Sequence, residues 1–260
     1  MKASLIIIGN EILSGRTQDK NLSYLANWLN EIGIQLSEVR VIRDEEEIIV
    51  ETVNHLRSVY DYVFTTGGIG PTHDDITSLC IAKAFGVELE VNSGALSILK
   101  EYYKDGELTD ARMKMTMMPK GSELIENPIS RAPGFKMENV FILAGIPSIM
   151  QGMLEGARKY LKGGDIVKSK SIDVFTPEST VADVLTNLQK KYSDVEIGSY
   201  PFSRDNRFGT SLVMRSSNLA KLDACDIELK DLMKNYDTKS VSYTHLRAHE
   251  TSLHLVCRLL

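Results

Sequence analysis

The first 65 residues run strand, helix, strand, helix, strand, and that order leaves the chain few folds to adopt. Residues 3–8, apolar except for Ser4, read as one continuous strand, followed by a turn at Gly9-Asn10-Glu11. Leu22, Leu25, Ala26, Leu29 and Ile32 then recur at helical spacing until Gly33, which predicts a helix closed by glycine. Residues 35–42 alternate as a strand does, Asp44 opens a helix carrying Ile48, Ile49, Val53 and Leu56, and residues 62–65 make a third strand. Strands separated by helices pair in parallel through right-handed crossovers, giving an α/β fold. Ligands in such sheets bind beyond the carboxyl ends of the strands. Gly9 to Glu11, Asp44 and the segment after the third strand are therefore predicted to line one sheet edge.

That third segment reads Thr65-Thr66-Gly67-Gly68-Ile69-Gly70-Pro71-Thr72-His73-Asp74-Asp75-Ile76-Thr77. Gly67, Gly68 and Gly70 stand where a strand turns toward a helix, and glycine there permits positive φ and close approach of a ligand to the backbone. The helix that follows, with Ile76, Leu79, Cys80 and Ala84 on one face, aims its first N–H groups into the same turn. Free donors and the helix dipole favour an anion at that point. Asp74 and Asp75 would repel a phosphate unless a divalent cation lay between them, and oxygen ligands suit magnesium or manganese. The plainer alternative makes the glycines a turn and Asp75 a helix cap. Neither a G-x-G-x-x-G pattern nor a Walker lysine is present.

Helical segments are expected over residues 94–104 and 110–118, followed by an irregular stretch with Leu124-Ile125, Pro128 and Ala132-Pro133-Gly134. Met113, Met115, Met117 and Met118 read as adaptable core filling. A strand over 140–144 leads through Gly145-Ile146-Pro147 into a helix from Ser148 to about residue 161, where Ser148 and Gln151 make an S-x-x-Q capping box. This second glycine-turned helix start is compatible with a phosphate contact as well. Lys162-Gly163-Gly164-Asp165 marks a boundary between a first domain, residues 1–165, and a small α/β module, residues 169–241. In the module, strands over 170–175, 195–200 and 210–215 accompany helices over 179–191 and 219–234, and Arg204, Asp205, Asn206 and Arg207 are expected in a solvated hairpin turn.

The net charge of −5 and the lack of dense basic runs argue against nucleic acid as a partner. No apolar run approaches the roughly 20 residues of a membrane span, and Met1-Lys2 leads straight into a strand, so a cytoplasmic protein is expected. Cys80, Cys225 and Cys257 read as buried free thiols. Residues 242–260, with His245, His249, His254 and Cys257, invite a zinc reading on spacing alone. Their strings Ser242-Tyr243-Thr244-His245-Leu246-Arg247-Ala248-His249-Glu250-Thr251 and His254-Leu255-Val256-Cys257-Arg258-Leu259-Leu260 instead resemble translated sequencing or library sequence, so this tail is expected to be non-native and is set aside.

Several separated motifs together resemble one family. They are Ile8-Gly9-Asn10-Glu11-Ile12-Leu13-Ser14-Gly15 with Asp19 and Asn21, the segment from Thr65 to Thr77, Asn127-Pro128 with Ala132-Pro133-Gly134, and Gly145-Ile146-Pro147-Ser148 with Met150. In order and spacing they resemble the MoaB/Mog molybdopterin-binding superfamily and, within it, the amino-terminal half of CinA-type proteins. The resemblance spans roughly residues 3–160. It implies a three-layer α/β/α domain with a mainly parallel sheet, followed by a small two-layer α/β module. Its implied ligand is a molybdopterin-like or nucleotide molecule held by Gly9, Glu11, Thr66, Gly67, Gly68, Gly70, Thr72, Gly145, Pro147 and Ser148. Asp44 and Asp75 match acidic positions needed for catalysis in relatives that adenylate molybdopterin. Asp74 is typical of the CinA branch, for which the resemblance implies hydrolysis of nucleotide diphosphates such as ADP-ribose or FAD. A divalent cation (magnesium, manganese or cobalt) on Asp74 and Asp75 would assist that reaction. Adenylyl transfer to molybdopterin and a non-catalytic pterin- or nucleotide-binding module are the alternatives. Members of the same family often form symmetric oligomers, and the sequence alone leaves the oligomeric state open.

Overall fold

The structure, a computed structural model, describes residues 1–104, 107–204, 206–236 and 238–241. Its first compact unit is Met1–Gly164 and the second starts at Asp165. The first unit opens with β1 (Lys2–Ile8), the single turn α1 (Asn10–Leu13), α2 (Asn21–Glu31), β2 (Gln35–Ile42), α3 (Glu46–Val59) and β3 (Tyr62–Thr66). It continues through α4 (Thr77–Phe85), β4 (Leu89–Val91), α5 (Ser93–Tyr102), α6 (Asp110–Lys114), β5 (Met117–Pro119), β6 (Glu123–Ile125), β7 (Gly134–Met137), β8 (Val140–Leu143) and α7 (Pro147–Ala157).

Six strands make the central sheet in the order β2-β1-β3-β8-β7-β6. The first four pair in parallel, whereas β7 and β6 add on antiparallel. Successive side chains of a strand face opposite ways, so β1 feeds two cores. Leu5 and Ile7 pack with Leu25, Trp28 and Leu29 of α2, Met150 and Leu154 of α7, and the stacked pair Phe64 and Phe141, whose ring centroids lie 5.0 Å apart. Ile6 and Ile8 pack on the other side with Ile49, Val53 and Leu56 of α3 and with Cys80 and Ile81 of α4. Helices on both faces of a mainly parallel sheet give the three-layer α/β/α arrangement, and each fully buried aliphatic or aromatic side chain contributes about 1.5–3 kcal/mol. After β1 the chain crosses to β2 on one side and returns to β3 on the other. The gap between the ends of β1 and β3 is therefore the point where the winding reverses, the usual crevice for a ligand.

Several local expectations are corrected. Gly9 to Glu11 is not a plain turn, since α1 begins at Asn10. Asp44 precedes α3 by two residues and accepts the Asn10 N–H at 2.8 Å. Helix α6 stops at Lys114, and Met117 and Met118 instead pair antiparallel with Val91 and Glu90 of β4 in a two-stranded sheet, which satisfies backbone groups that the helix no longer does. The stretch around 124–134 holds two strands, β6 and β7, too short to show a two-residue period. Helix α7 starts at Pro147 with Ile146 as the flanking residue, so Ser148 makes no cap. Proline favours the first helical position because its fixed φ suits the helix and its missing N–H is not needed there.

The second unit is a four-stranded antiparallel sheet in the order β10-β11-β9-β12 with two helices: β9 (Lys168–Val174), α8 (Glu178–Lys191), β10 (Glu196–Arg204), β11 (Arg207–Ser216), α9 (Leu219–Leu232) and β12 (Thr238–Val241). Its core gathers Ile172, Val174, Val181, Leu188, Leu212, Met214, Leu222 and Leu229. Arg204 and Arg207 belong to the strands, not the turn. Arg204 pairs with the buried Asp173 at 3.1 Å, and Arg207 lies 4.0 Å over the Phe175 ring. Asp205 and the tail from residue 242 on lie outside the described residues. No helix among the described residues is long and apolar enough to cross a membrane.

Candidate functional site

Three loops leave the carboxyl ends of β1, β3 and β8 and meet through glycines. Gly67 has φ +103°, and a Cβ on it would lie 2.1 Å from the Ile8 carbonyl oxygen at the end of β1. A Cβ on Gly145, after β8, would lie 3.3 Å from the Gly67 Cα. Gly68 has φ +67°, and its Cβ position is filled by the Thr77 hydroxyl. Buried Thr77 donates that hydroxyl to the Gly67 carbonyl at 3.0 Å and its N–H to the Gly68 carbonyl at 3.0 Å. The loop after β3 is thereby tied to the first residue of α4.

Asp75 closes the rest of the loop. Its Oδ2 accepts the Thr72 N–H at 2.8 Å and the Thr72 hydroxyl at 2.5 Å, and Gly70 lacks the Cβ that would strike this carboxylate. The Lys114 ammonium donates to the Thr72 carbonyl from α6. Asp75 does not cap α4, whose flanking residue is Ile76.

Beside these loops opens a small cleft lined by Ile7, Ile8, Glu11, Ile12, Thr17, Gln18, Asp19, Lys20, Asn21, Thr66, Gly145 and Pro147. Asn21 donates its Nδ2 to the Gly145 carbonyl at 2.8 Å, which joins the start of α2 to the β8 loop. Its Oδ1 and the Thr66 Oγ1 are both buried without a protein partner. Buried polar atoms are almost always paired, so two orphans on one cleft wall point to a ligand or ordered water. The first turn of α7, whose Pro147 lines the cleft, carries no acidic side chain, so its positive end favours an anion.

Asp44 lies within electrostatic reach of Glu11, which lines the cleft, and of Asp74. Burial pushes the Asp44 carboxyl up, with Glu11 and Asp74 adding repulsion, while the Asn10 N–H opposes the shift. Asp74 is exposed, and the nearby Thr72 side chain, His73 and Lys114 hold its carboxyl below the usual range. Among the described residues no three His, Cys, Asp or Glu side chains converge as a ready metal cage. Magnesium beside phosphates uses one or two carboxylates and completes its shell with ligand oxygens and water. That donor set fits Asp74 and Asp75 as partners of a cation that arrives with its phosphate ligand.

Of the residues singled out in the sequence, Glu11, Thr66, Gly145 and Pro147 line the cleft. Gly67, Gly68, Gly70, Thr72 and Asp75 build the adjoining loop, and Gly9 lies under the Glu11 carboxylate. Asp44 and Asp74 lie within electrostatic reach of each other, and Ser148 is exposed in the first turn of α7. Thr17, Gln18 and Lys20 are additions that no sequence pattern announced. Asn21 carried a signal only as part of the first motif.

The fold and site define a MoaB/Mog-type α/β/α domain with a ligand cleft over its sheet edge. Residues 4–162 match the family described as "Probable molybdopterin binding domain", and the chain belongs to that family, in its CinA-like branch. Residues 167–241 match the FAD synthase middle domain. A protein of Sulfurisphaera tokodaii is 40% identical over 213 residues, 76% of this chain and 80% of that protein. One of Archaeoglobus fulgidus is 34% identical over 205 residues, 77% of this chain and 86% of that one. Among solved structures, the protein CinA with unknown function from Thermoplasma acidophilum is 36% identical with a TM-score of 0.57, covering 62% of this chain and 98% of that one.

Proposed function

We propose that the chain is a metal-assisted pyrophosphatase acting on a nucleotide diphosphate such as ADP-ribose or FAD. One observation carries this proposal: Asn21 and Thr66 keep buried, unpaired oxygens in residues lining a cleft where the acid-free start of α7 and Lys20 favour phosphate and the Glu11 and Asp19 carboxylates call for a cation beside it. The match of the second unit to the FAD synthase middle domain supports a flavin or adenine nucleotide as the ligand.

The loop from Gly68 to Gly70 and the start of α7 would hold the diphosphate with backbone N–H groups, and Lys20 would neutralise part of its charge. Asp74 and Asp75 would hold a divalent cation (magnesium, manganese or cobalt), which when bound lowers the pKa of its water and stabilises charge on phosphorus oxygens. Asp44 would accept the proton of the attacking water, because a carboxyl whose pKa is raised is a better general base than an ordinary one. Water would then break the phosphoanhydride bond to release two phosphomonoesters. Positioning and charge neutralisation supply most of the barrier lowering in such reactions, so no covalent nucleophile is required.

The test is a hydrolysis screen of ADP-ribose, FAD and NAD against magnesium, manganese and cobalt. Asp75→Asn keeps an oxygen for the two Thr72 donors and so should fold normally, yet lose about 100-fold or more in turnover. Wild-type rates in that variant would sink the assignment. A second reading, adenylyl transfer to molybdopterin, is favoured by the family description alone. Incubation with ATP, magnesium and molybdopterin separates the two, since only a transferase yields an adenylated pterin. Tight binding without turnover across both assays would mark a non-catalytic binding module.

A further inference from the structure

Thr72 commits all its polar groups to one turn. Its N–H and its hydroxyl both end on Asp75 Oδ2, at 2.8 Å and 2.5 Å, and its carbonyl accepts the Asp75 N–H at a longer 3.3 Å. That carbonyl also takes the Lys114 ammonium, the one cationic side chain among the described residues that donates to the loop between Gly67 and Ile76. Asp75 Oδ1 receives no hydrogen bond from any described residue, so one oxygen of the carboxylate is engaged and the other is not.

Lys114 reaches this loop from outside the central sheet. Helix α6, five residues long, belongs to the excursion between β4 and β5, and a helix that short does not hold by itself. Both of its ends are pinned. At its start the Thr109 hydroxyl accepts the Arg112 N–H, while the Arg112 guanidinium lies 4.1 Å over the Tyr103 ring and donates to the Glu107 carbonyl. Past its end, buried Thr116 donates its hydroxyl to the Met113 carbonyl at 2.7 Å and accepts the Asn92 N–H on its own carbonyl at 2.8 Å. The lysine is thus delivered from a fixed support.

We propose that Lys114 is a positioning residue: by holding the Thr72 carbonyl it keeps the turn in which Asp75 commits Oδ2 to Thr72 and leaves Oδ1 to a divalent cation. This role rests on the cation reading of Asp75 given above but not on hydrolysis. A rival account gives Lys114 a charge and nothing more, since Thr72 and, less strongly, His73 and Lys114 hold the Asp74 carboxyl below the usual range. The two accounts differ in sign. An ammonium beside Asp74 repels a cation, so removing it would tighten cation binding if charge alone mattered. Losing the hydrogen bond instead leaves the Thr72 carbonyl with the long Asp75 contact only, and a loosened turn has to be reordered when the ion binds.

Equilibrium binding of Mn2+ to the full chain with ADP present, read from the electron paramagnetic resonance of the free ion, tests the role. Lys114→Met should bind Mn2+ about 3- to 10-fold more weakly than the wild type. Lys114→Arg keeps a charged donor and should stay within about 2-fold of it. Neither core of the first unit includes Lys114, so the urea midpoint read from Trp28 fluorescence should move little in both variants. Unchanged or tighter binding in Lys114→Met would overturn the positioning role and leave the cation site standing. Equal weakening in Lys114→Arg would show that the lysine only fills space, and would overturn it as well. A wild type that binds no Mn2+ would refute the cation site of Asp74 and Asp75 itself, and this role with it.

Discussion

Gly67 and Gly86 both sit at positive φ, and replacing each with alanine separates backbone strain from close approach. Gly86, at φ +66°, ends α4, and a Cβ there meets nothing within 4 Å. Gly86→Ala should therefore cost only the left-handed penalty, about 1 kcal/mol. Gly67, at φ +103°, adds a collision, because its Cβ would lie 2.1 Å from the Ile8 carbonyl oxygen. That carbonyl cannot retreat cheaply: Ile8 is in register with Ile42 of β2, and the next N–H, of Gly9, donates to the Ile42 carbonyl at 3.1 Å. Strain of about 1–3 kcal/mol and a backbone overlap of about 1–3 kcal/mol give roughly 2–6 kcal/mol in total. Trp28, the one tryptophan of the chain, is 5% exposed in the first unit's core, so its fluorescence reports the unfolding of that unit. At about 1–3 kcal/mol per molar urea, Gly67→Ala should lower the midpoint by on the order of 1 M or more, and Gly86→Ala by well under that. Equal shifts for the two variants would show that the loop after β3 yields freely, and would refute the claim that its backbone is wedged against β1.

Two other outcomes are expected. Burial and its acidic neighbours raise the folded-state pKa of Asp44 above the unfolded value, so ionising it opposes folding: its stabilising contribution is complete below the unfolded pKa and is lost as pH rises through the folded one. Asp44→Asn should therefore raise the urea midpoint at pH 7, with the gain shrinking as pH falls through the window just above the ordinary aspartate range; a gain that grows toward acid would contradict the assignment. Burial pushes the thiols of Cys80 and Cys225 up to about 11, so mass spectrometry after brief alkylation at pH 8 should find both unmodified in the native protein and labelled in urea.

The sequence made β1, α2, β2, α3 and β3 legible because each carries a strong period. Residues 3–8 are apolar except Ser4 since both faces of β1 are buried, and Leu25 and Leu29 of α2 fall on one stripe. Strands β5, β6 and β7 were not legible. Three or four residues cannot display alternation, and what makes Met117–Pro119 a strand is a partner, Leu89–Val91, supplied across an intervening helix pair. The sheet edge as the ligand side followed from topology, and the structure does bring the loops after β1, β3 and β8 together there.

The division of labour at that edge was much less legible. Glycine, Thr and Asp in a row announced a loop with chemistry, but not that Asp75 would spend Oδ2 on Thr72 while Asp44 lies within electrostatic reach of Glu11 and Asp74. Spacing encodes which residues share an element, whereas an unpaired atom is defined by everything around it. Asn21 shows the difference most sharply. Its motif placed it near the site, but its role depends on the Gly145 carbonyl, 124 positions away, consuming the amide nitrogen and leaving the oxygen for something else. A residue whose donor is spoken for and whose acceptor is buried and unused is a statement about the ligand's hydrogens, and no one-dimensional pattern contains it.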